Sequence, residues 1–309
     1  MTPGIKDQTR WKTGFFDFGR AQKPNIKFFN PGLIRHQGSD WLIVRKCEVV
    51  DWHRIGQNSL VAFRLDEDHT PKEFININLE NRNYVNQHWE DPRIVAISGK
   101  IVLSCTSFQI FRNLNYTVSH QQVAFLNDSF QPEEVWDPIF GHNGGSLMMN
   151  TDSEKNWIFF EHDHEMMMIY MTEPHQVIRW KNQQVVDQWK TSAFGWKWGH
   201  MRGGSPPIRI GDEYVCFFHS HTPIEPKWRR YHMGAYAFEA KPPFKMTRMT
   251  RKPLLSGSEN DPRSDPSQHA VFPCGAILDS KKYVVSMGIN DYTSAWIEIP
   301  VKDLDSLMK

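Results

Sequence analysis

Cysteine is scarce in this chain. Its four residues, Cys47, Cys105, Cys216 and Cys274, form no CxxC or CxxH pair. That spacing speaks against a disulfide framework and a zinc-finger-type site. Each cysteine lies in or beside a strand-like run, where a small buried hydrophobe is expected. A charge excess is also lacking: 36 basic and 35 acidic residues leave a net charge of +1, unlike a general nucleic-acid binder. No run approaches the roughly 18 apolar residues of a membrane span, and residues 1–20 carry no apolar segment framed as a signal peptide. The expectation is a soluble, reduced, cytoplasmic protein with no nucleic-acid or membrane partner. No stretch of about 12 residues keeps a 3.6-residue apolar period. A P-loop, a GxGxxG after a strand and a GxSxG elbow are all missing, which argues against Rossmann and α/β-hydrolase folds.

What the chain does have is strand signal and aromatic mass. Trp41–Arg45, Leu60–Arg64, Ile101–Cys105, Gln122–Leu126, Met166–Tyr170, Tyr214–Phe218, Gly234–Phe238 and Tyr283–Met287 are short β-forming runs bounded by turn residues. The 12 Trp and 20 Phe are expected mainly in cores between sheets, with some free to stack on sugar rings or bases. A polar or proline-bearing element recurs before paired strand runs: Asn30-Pro31, Asp91-Pro92-Arg93, Lys155-Asn156-Trp157, Ser205-Pro206-Pro207 and Phe272-Pro273-Cys274. Their starts are 61, 64, 50 and 67 residues apart. A unit of that length, read as three or four strands with tight turns, signals radial blades.

The predicted fold is therefore all-β, a five-bladed β-propeller forming a single domain over 1–309. The blades are expected at 26–75, 88–132, 145–190, 200–250 and 268–300. Trp11 to Phe18 should supply an outer strand that closes the ring against the last blade and hides an open sheet edge. Ser256 to Gln268, rich in Ser, Asp and Pro, reads as a rim loop.

In a propeller the innermost strands start near the axis, so the polar residues there are the candidate site: Asn30, Arg45, Asp91, Arg93, Lys155, Arg202, His219, Tyr231 and Asp291. Trp89-Glu90-Asp91-Pro92-Arg93 is the sharpest of these segments. The proline should hold Asp91 extended or in a turn. Arg93, two residues on, could pair with a carboxylate or hold a substrate hydroxyl; an Asp-Pro turn with a local ion pair is the plain alternative. In Arg202-Gly-Gly-Ser-Pro-Pro207 the glycines would let backbone approach a ligand. Arg202, His219 and Tyr231 could together bind an anion such as phosphate, reinforced by Lys227, Arg229 and Arg230. His219 and His221 would share a strand face, but no third ligand at metal spacing accompanies them; no metal is expected. Asp291, after Gly288-Ile-Asn290, could accept from sugar hydroxyls or cap a strand.

Taken in order, Phe29-Asn30-Pro31-Gly32 with Val44-Arg45, Glu90-Asp91-Pro92-Arg93, Gly204 to Ile208, Phe218-His219, Tyr231 to Ala235 and Gly288 to Asp291 resemble glycoside hydrolase family 130. These are five-bladed propeller enzymes that cleave or make β-mannosides, and the similarity spans nearly the whole chain. The resemblance implies that Asp91 is the general acid, its proton passing to the glycosidic oxygen through a mannose hydroxyl while phosphate attacks with inversion. It also implies that Arg202 (where the family usually has Lys), His219 and Tyr231 contact phosphate; Lys155, the one basic side chain besides histidines between Asn143 and Pro174, is a further candidate for the phosphate or donor site. Asn30, Arg45, Arg93 and Asp291 would hold the sugar beside the acid.

One departure matters. The phosphorylases use two third-blade arginines, whereas no arginine lies between Asn143 and Pro174, and Tyr170 stands about where one would be. Inorganic phosphate, a sugar phosphate or a nucleotide sugar are thus all open as co-substrate, with no cofactor. Hydrolysis is the alternative on the same scaffold, with Glu161, Asp163 and Glu173 available to activate water. A non-catalytic sugar-binding propeller and an arabinanase-type hydrolase with three axial carboxylates are the other rivals. The expected partner is an oligosaccharide or glycoside, and a homo-oligomer is compatible with the sequence.

Overall fold

The computed structural model describes residues 9–51, 54–79, 87–111, 116–138, 155–225, 228–258 and 268–309. After a short strand β1 (Thr13–Phe15), blade one comprises β2 (Ile26–His36), β3 (Ser39–Asp51), β4 (Arg54–Leu65) and β5 (Pro71–Ile77). Blade two comprises β6 (Gln87–Ile97), β7 (Lys100–Phe111), β8 (Tyr116–Leu126) and β9 (Pro132–Trp136). Blade three comprises β10 (Ile158–His162), β11 (Glu165–Met171), β12 (His175–Lys181) and β13 (Gln184–Thr191).

Blade four is larger, with β14 (Arg202–Gly203), β15 (Ile208–Ile210), β16 (Glu213–Glu225), β17 (Trp228–Glu239), β18 (Met246–Met249), β19 (Leu255–Ser256) and β20 (Gln268–His269). Blade five comprises β21 (Val271–Asp279), β22 (Lys282–Ile289) and β23 (Thr293–Pro300), followed by a short helix α1 (Val301–Leu307). Blades one, two and three are four-stranded up-and-down sheets, and β1 pairs with β23 as the fourth strand of blade five. In blade four the path β14-β16-β17-β18 is extended by β15 on β16 and by β19 and β20 on β17, with β20 parallel to it. The five sheets form a five-bladed β-propeller, and the expected N-terminal closing strand is present. Part of the third predicted blade, 145–154, and most of the Ser256–Gln268 segment lie outside the described residues, as does Lys227.

Each seam between neighbouring blades is a separate apolar core, because alternate residues of a strand face opposite neighbours. Ile34, Ile43, Leu60, Ile94 and Leu103 fill the seam of blades one and two. Trp136, Trp157 and Trp180 join Val102 and Ile178 between two and three. Phe28, Leu42, Phe63, Val284 and Trp296 join the last blade to the first. Most described tryptophans are thus core residues, as expected from their bulk. All four cysteines are free and buried.

The first hairpins use two-residue turns whose φ is positive at both positions, Gln37-Gly38 and Ser98-Gly99, the geometry that matches strand twist. The polar-proline elements differ from expectation. Asn30-Pro31 and Asp91-Pro92 do not precede their strands but lie inside β2 and β6, each at a register shift, between Phe29 and Gly32 and between Glu90 and Arg93. Proline cannot donate to a ladder, and a β-bulge is one of the few places a strand tolerates it. The residue before each proline takes a left-handed φ, 52° at Asn30 and 54° at Asp91. Asp91 is therefore held in a bulge rather than extended.

Candidate active site

The two bulges face each other across the seam of blades one and two. Asn30, buried to 3% exposure, donates through Nδ2 to Asp91 Oδ1 at 2.7 Å. Asp91 itself is half-buried, so it can meet a ligand while one oxygen is fixed.

Among the described residues, Arg93 pairs with no carboxylate. The bulge breaks the simple alternation, and its fully buried guanidinium turns to protein carbonyls. Nε donates to Gly204 O at 2.7 Å, Nη1 to Asp91 O at 3.1 Å, and Nη2 to Gly203 O at 3.1 Å and Asn156 Oδ1 at 3.0 Å. Its Cζ lies 5.5 Å from the centre of the Phe272 ring. Four of its five N–H groups are thus used on blades two, three and four.

The Gly203-Gly204 pair serves the same junction. A Cβ on Gly203 would sit 2.2 Å from Asn156 O, and one on Gly204 2.2 Å from Phe217 O. The close approach expected there is to neighbouring backbone.

Arg45, 6% exposed, makes an ion pair through Nη2 with Glu90 Oε1 and donates through Nε to Asn58 Oδ1 at 3.2 Å. Its guanidinium also lies over the Phe29 ring, 4.6 Å from the centroid. Asn58 Nδ2 donates to Glu90 Oε1 at 3.2 Å. Burial opposes charge on Arg45, but the fields of Glu90, Asp91 and Asp291 outweigh it and hold the cation more firmly than usual. Burial pushes the Glu90 carboxyl up, against the pull of Arg45, and the neighbouring Asp91 charge adds to the rise. Asp291, with φ 49° just beyond β22, acts electrostatically on Arg45, Glu90 and Tyr231. Lys155 acts on Glu90.

On blade four, Arg202 is exposed and directly paired with His219 across β14 and β16. His219 is 2% exposed, and its ring lies 4.3 Å from Phe272 and 6.0 Å from Tyr231. Burial, then the charges of Arg93 and Arg202, depress its basicity well below the ordinary histidine value, so it is neutral near pH 7. Burial, then Asp291, raises the Tyr231 phenol, with Arg229 and Arg202 opposing. The expected pairing of His219 and His221 on one face holds, with the Tyr231 ring 5.4 Å from His221.

Contacts join Asn30 to Asp91, Asp91 to Arg93, Arg202 to His219 and His219 to Tyr231, while Arg45, Lys155 and Asp291 are linked to the group through charge on or beside Glu90. Glu90, Asn58 and Asn156 belong to it too. Glu90 was visible as the neighbour of Asp91, but Asn58 in mid-strand and Asn156 before a tryptophan gave no comparable signal.

Two of the proposed water-activating carboxylates lie elsewhere. Glu161 accepts from Ser98 N at 2.6 Å, and Asp163 forms the β10–β11 turn. Ser98 stands in the turn just after β6, seven residues on from Asp91, about 20 Å at strand rise. Glu173 lies beyond β11, at the site end, where it accepts from Met201 N at 3.0 Å and contacts His200 Nδ1 at 3.1 Å. Tyr170 packs edge-on against Trp157.

The family model described as beta-1,4-mannooligosaccharide phosphorylase matches residues 20–309. Among solved structures, β-1,2-mannobiose phosphorylase from Listeria innocua is similar in fold, with a TM-score of 0.66 at 14% identity, covering 92% of this chain and 93% of that one. A Bacteroides ovatus structure described as a putative glycoside hydrolase has a TM-score of 0.68 at 14% identity, covering 96% and 99%. A GDP-Man-dependent mannosyltransferase from Leishmania mexicana reaches 0.63 at 11% identity, covering 96% and 92%. No curated protein sequence matches the chain. Fold, blade order and a family match over nearly the whole chain agree: it belongs to glycoside hydrolase family 130, the family of β-mannoside phosphorylases and hydrolases.

Proposed function

We propose that this protein cleaves or forms β-mannosidic bonds with inversion, using Asp91 as general acid, or as base in the synthetic direction. The observation that carries the reading is the pairing of a fixed carboxyl with an anion-binding wall. Asp91 is held by Asn30 at the axis, and Arg202, neutral His219 and Tyr231 stand together on blade four. In cleavage, a proton from Asp91 reaches the leaving oxygen, directly or through a sugar hydroxyl, as the bond from that oxygen to C1 breaks. An anionic oxygen attacks C1 from the opposite face.

The blade-four group suits that anion. Arg202 supplies charge, while a neutral imidazole and a phenol add donors that need no counter-ion. The co-substrate is inorganic phosphate, a sugar phosphate or a nucleotide sugar, and no metal has a role. Asp291 and the Arg45–Glu90–Asn58 network form the sugar clamp. Hydrolysis is the second reading, favoured specifically by Glu173, the one of the three proposed bases at the site end.

The test is product analysis by mass spectrometry. The protein is incubated with β-mannooligosaccharides with and without phosphate, and with mannose 1-phosphate or GDP-mannose plus acceptors. Phosphate-dependent release of mannose 1-phosphate, or elongated acceptor, supports the reading. Release of free mannose independent of phosphate supports hydrolysis. No reaction in any arm overturns both.

A further inference from the structure

Taking Asp91 as the acid proposed above, we infer that Asn30 is a positioning residue which confines the transferable proton to Asp91 Oδ2, and that Gly288 is the hole in blade five that lets it do so. Asn30 Nδ2 can only donate, and its acceptor is Asp91 Oδ1 at 2.7 Å. An oxygen that accepts this N–H does not also carry a proton toward it. The carbonyl-type oxygen of a carboxylic acid is the better acceptor, so the acid's proton resides on Oδ2.

The orientation of the Asn30 amide is set from its far side. Its Oδ1 is buried with no hydrogen-bond donor among the described residues, and a Cβ on Gly288 would fall 1.8 Å from it. The C–H of the glycine thus points at that oxygen, a weak favourable contact; an NH₂ group turned there would meet hydrogen with hydrogen. Any side chain at 288 would push the amide off Asp91.

The backbone contributes as well. Asn30 holds φ 52° at its bulge, so its amide leaves the strand at an angle that an ordinary strand residue would not give. Burial at 3% exposure leaves the amide little freedom to serve a sugar instead. Three blades thus converge on one carboxyl: the donor from blade one, the acid from blade two and the hole from blade five. In the reaction the Oδ2 proton goes to the leaving oxygen as the bond to C1 breaks. Asp91 becomes a carboxylate whose Oδ1 still accepts from Asn30, and the attacking nucleophile completes the balance.

The test exploits leaving-group chemistry in three proteins: wild type, Asn30→Gly and Gly288→Ala. Glycine at 30 removes the amide yet suits the positive φ. Each is assayed on a β-mannobiose, whose leaving oxygen needs the proton, and on 2,4-dinitrophenyl β-mannoside, whose leaving group does not. Crystal structures of all three report the Asp91 carboxyl. Expected are a fall in kcat of about 100-fold on the disaccharide, with little change on the aryl glycoside, and a displaced Asp91 carboxyl. An equal rise in KM for both substrates would make Asn30 a sugar ligand and overturn the inference, as would an unmoved carboxyl. If wild type turns over neither substrate, the mannoside reading falls, and the position of the Asp91 carboxyl in the variant structures alone decides the role of Asn30.

Discussion

Arg93 and Gly204 are joined by a hydrogen bond of 2.7 Å from Nε to the carbonyl oxygen, a contact that crosses from the second blade to the fourth. It is one of four that this guanidinium makes, and it explains why so polar a group lies at 2% exposure in the middle of the ring. The cation is retained by a set of carbonyl dipoles rather than by a carboxylate. The same contacts hold Asn156 and the Gly203-Gly204 turn in place, so the proposed anion site and the proposed acid share one brace.

Replacing Arg93 should therefore act first on stability. Arg93→Ala strands three backbone carbonyls and an amide oxygen, and a loss of about 3 kcal/mol or more is expected. Arg93→Lys should recover only a minor part, because an ammonium cannot span acceptors arranged for a planar fork. Urea unfolding of the three proteins measures this; a loss below about 1 kcal/mol would contradict the bracing role.

Asp91→Asn should separate catalysis from folding. The amide keeps the size of the side chain but cannot deliver a proton, so turnover of a disaccharide should fall by about 10³-fold. The melting temperature should stay close to wild type. Near-normal turnover in a well-folded variant would remove Asp91 from the mechanism.

Arg202 is exposed and makes its mark on His219 and Tyr231 through charge. Arg202→Ala should raise KM for the anionic co-substrate by about 10-fold or more, the size of a lost hydrogen bond to a charged group. KM for the neutral sugar should change little. Steady-state kinetics with each substrate varied in turn would show the split, and equal effects on both would place Arg202 outside the anion site.

The closing seam makes a prediction about acid. Burial alone would raise the Glu298 carboxyl, but Lys282, His69 and Lys12 together bring it below the usual value; Lys282 Nζ is 3.0 Å away and His69 Nε2 3.3 Å. A carboxyl depressed in the folded state adds stability above its unfolded pKa of about 4.3, and loses it as pH falls through the folded value. Wild type should thus exceed Glu298→Gln in stability at pH 7. The gap should close below about pH 4, as unfolding curves across that range would reveal. A gap independent of pH would assign the effect to packing.

Much of this architecture was legible because turns and strand runs are local signals. Gln37-Gly38 and Ser98-Gly99 announce hairpins, and runs such as Leu60–Arg64 announce buried strands. The axial position of Asp91 followed from counting units. The use of Arg93 did not: its partners at 203 and 204 are backbone atoms more than 100 residues away, and a carbonyl carries no sequence signature. The left-handed φ of Asn30 and Asp91 was masked by the proline that follows each, which normally announces extended backbone; only the register with β3 and β7 exposes the bulge. Asn58 reads as an interruption in a strand until the Arg45–Glu90 pair is placed beside it. The Gly203-Gly204 pair signalled close approach, yet nothing in the chain says that the approaching atoms are Asn156 O and Phe217 O.

The contact between Asn30 and Gly288 ties the acid to the order of synthesis. A ribosome delivers Asn30 and Asp91 within the first third of the chain and Gly288 close to its end. Until the last blade docks, the amide has no wall to turn it, and the acid is free to rotate. A nascent chain with four finished blades would carry Arg202, His219 and Tyr231 of the proposed anion site and still leave the Asn30 amide unturned. On the proposed reading, catalytic competence waits for circular closure, when Gly288 reaches Asn30.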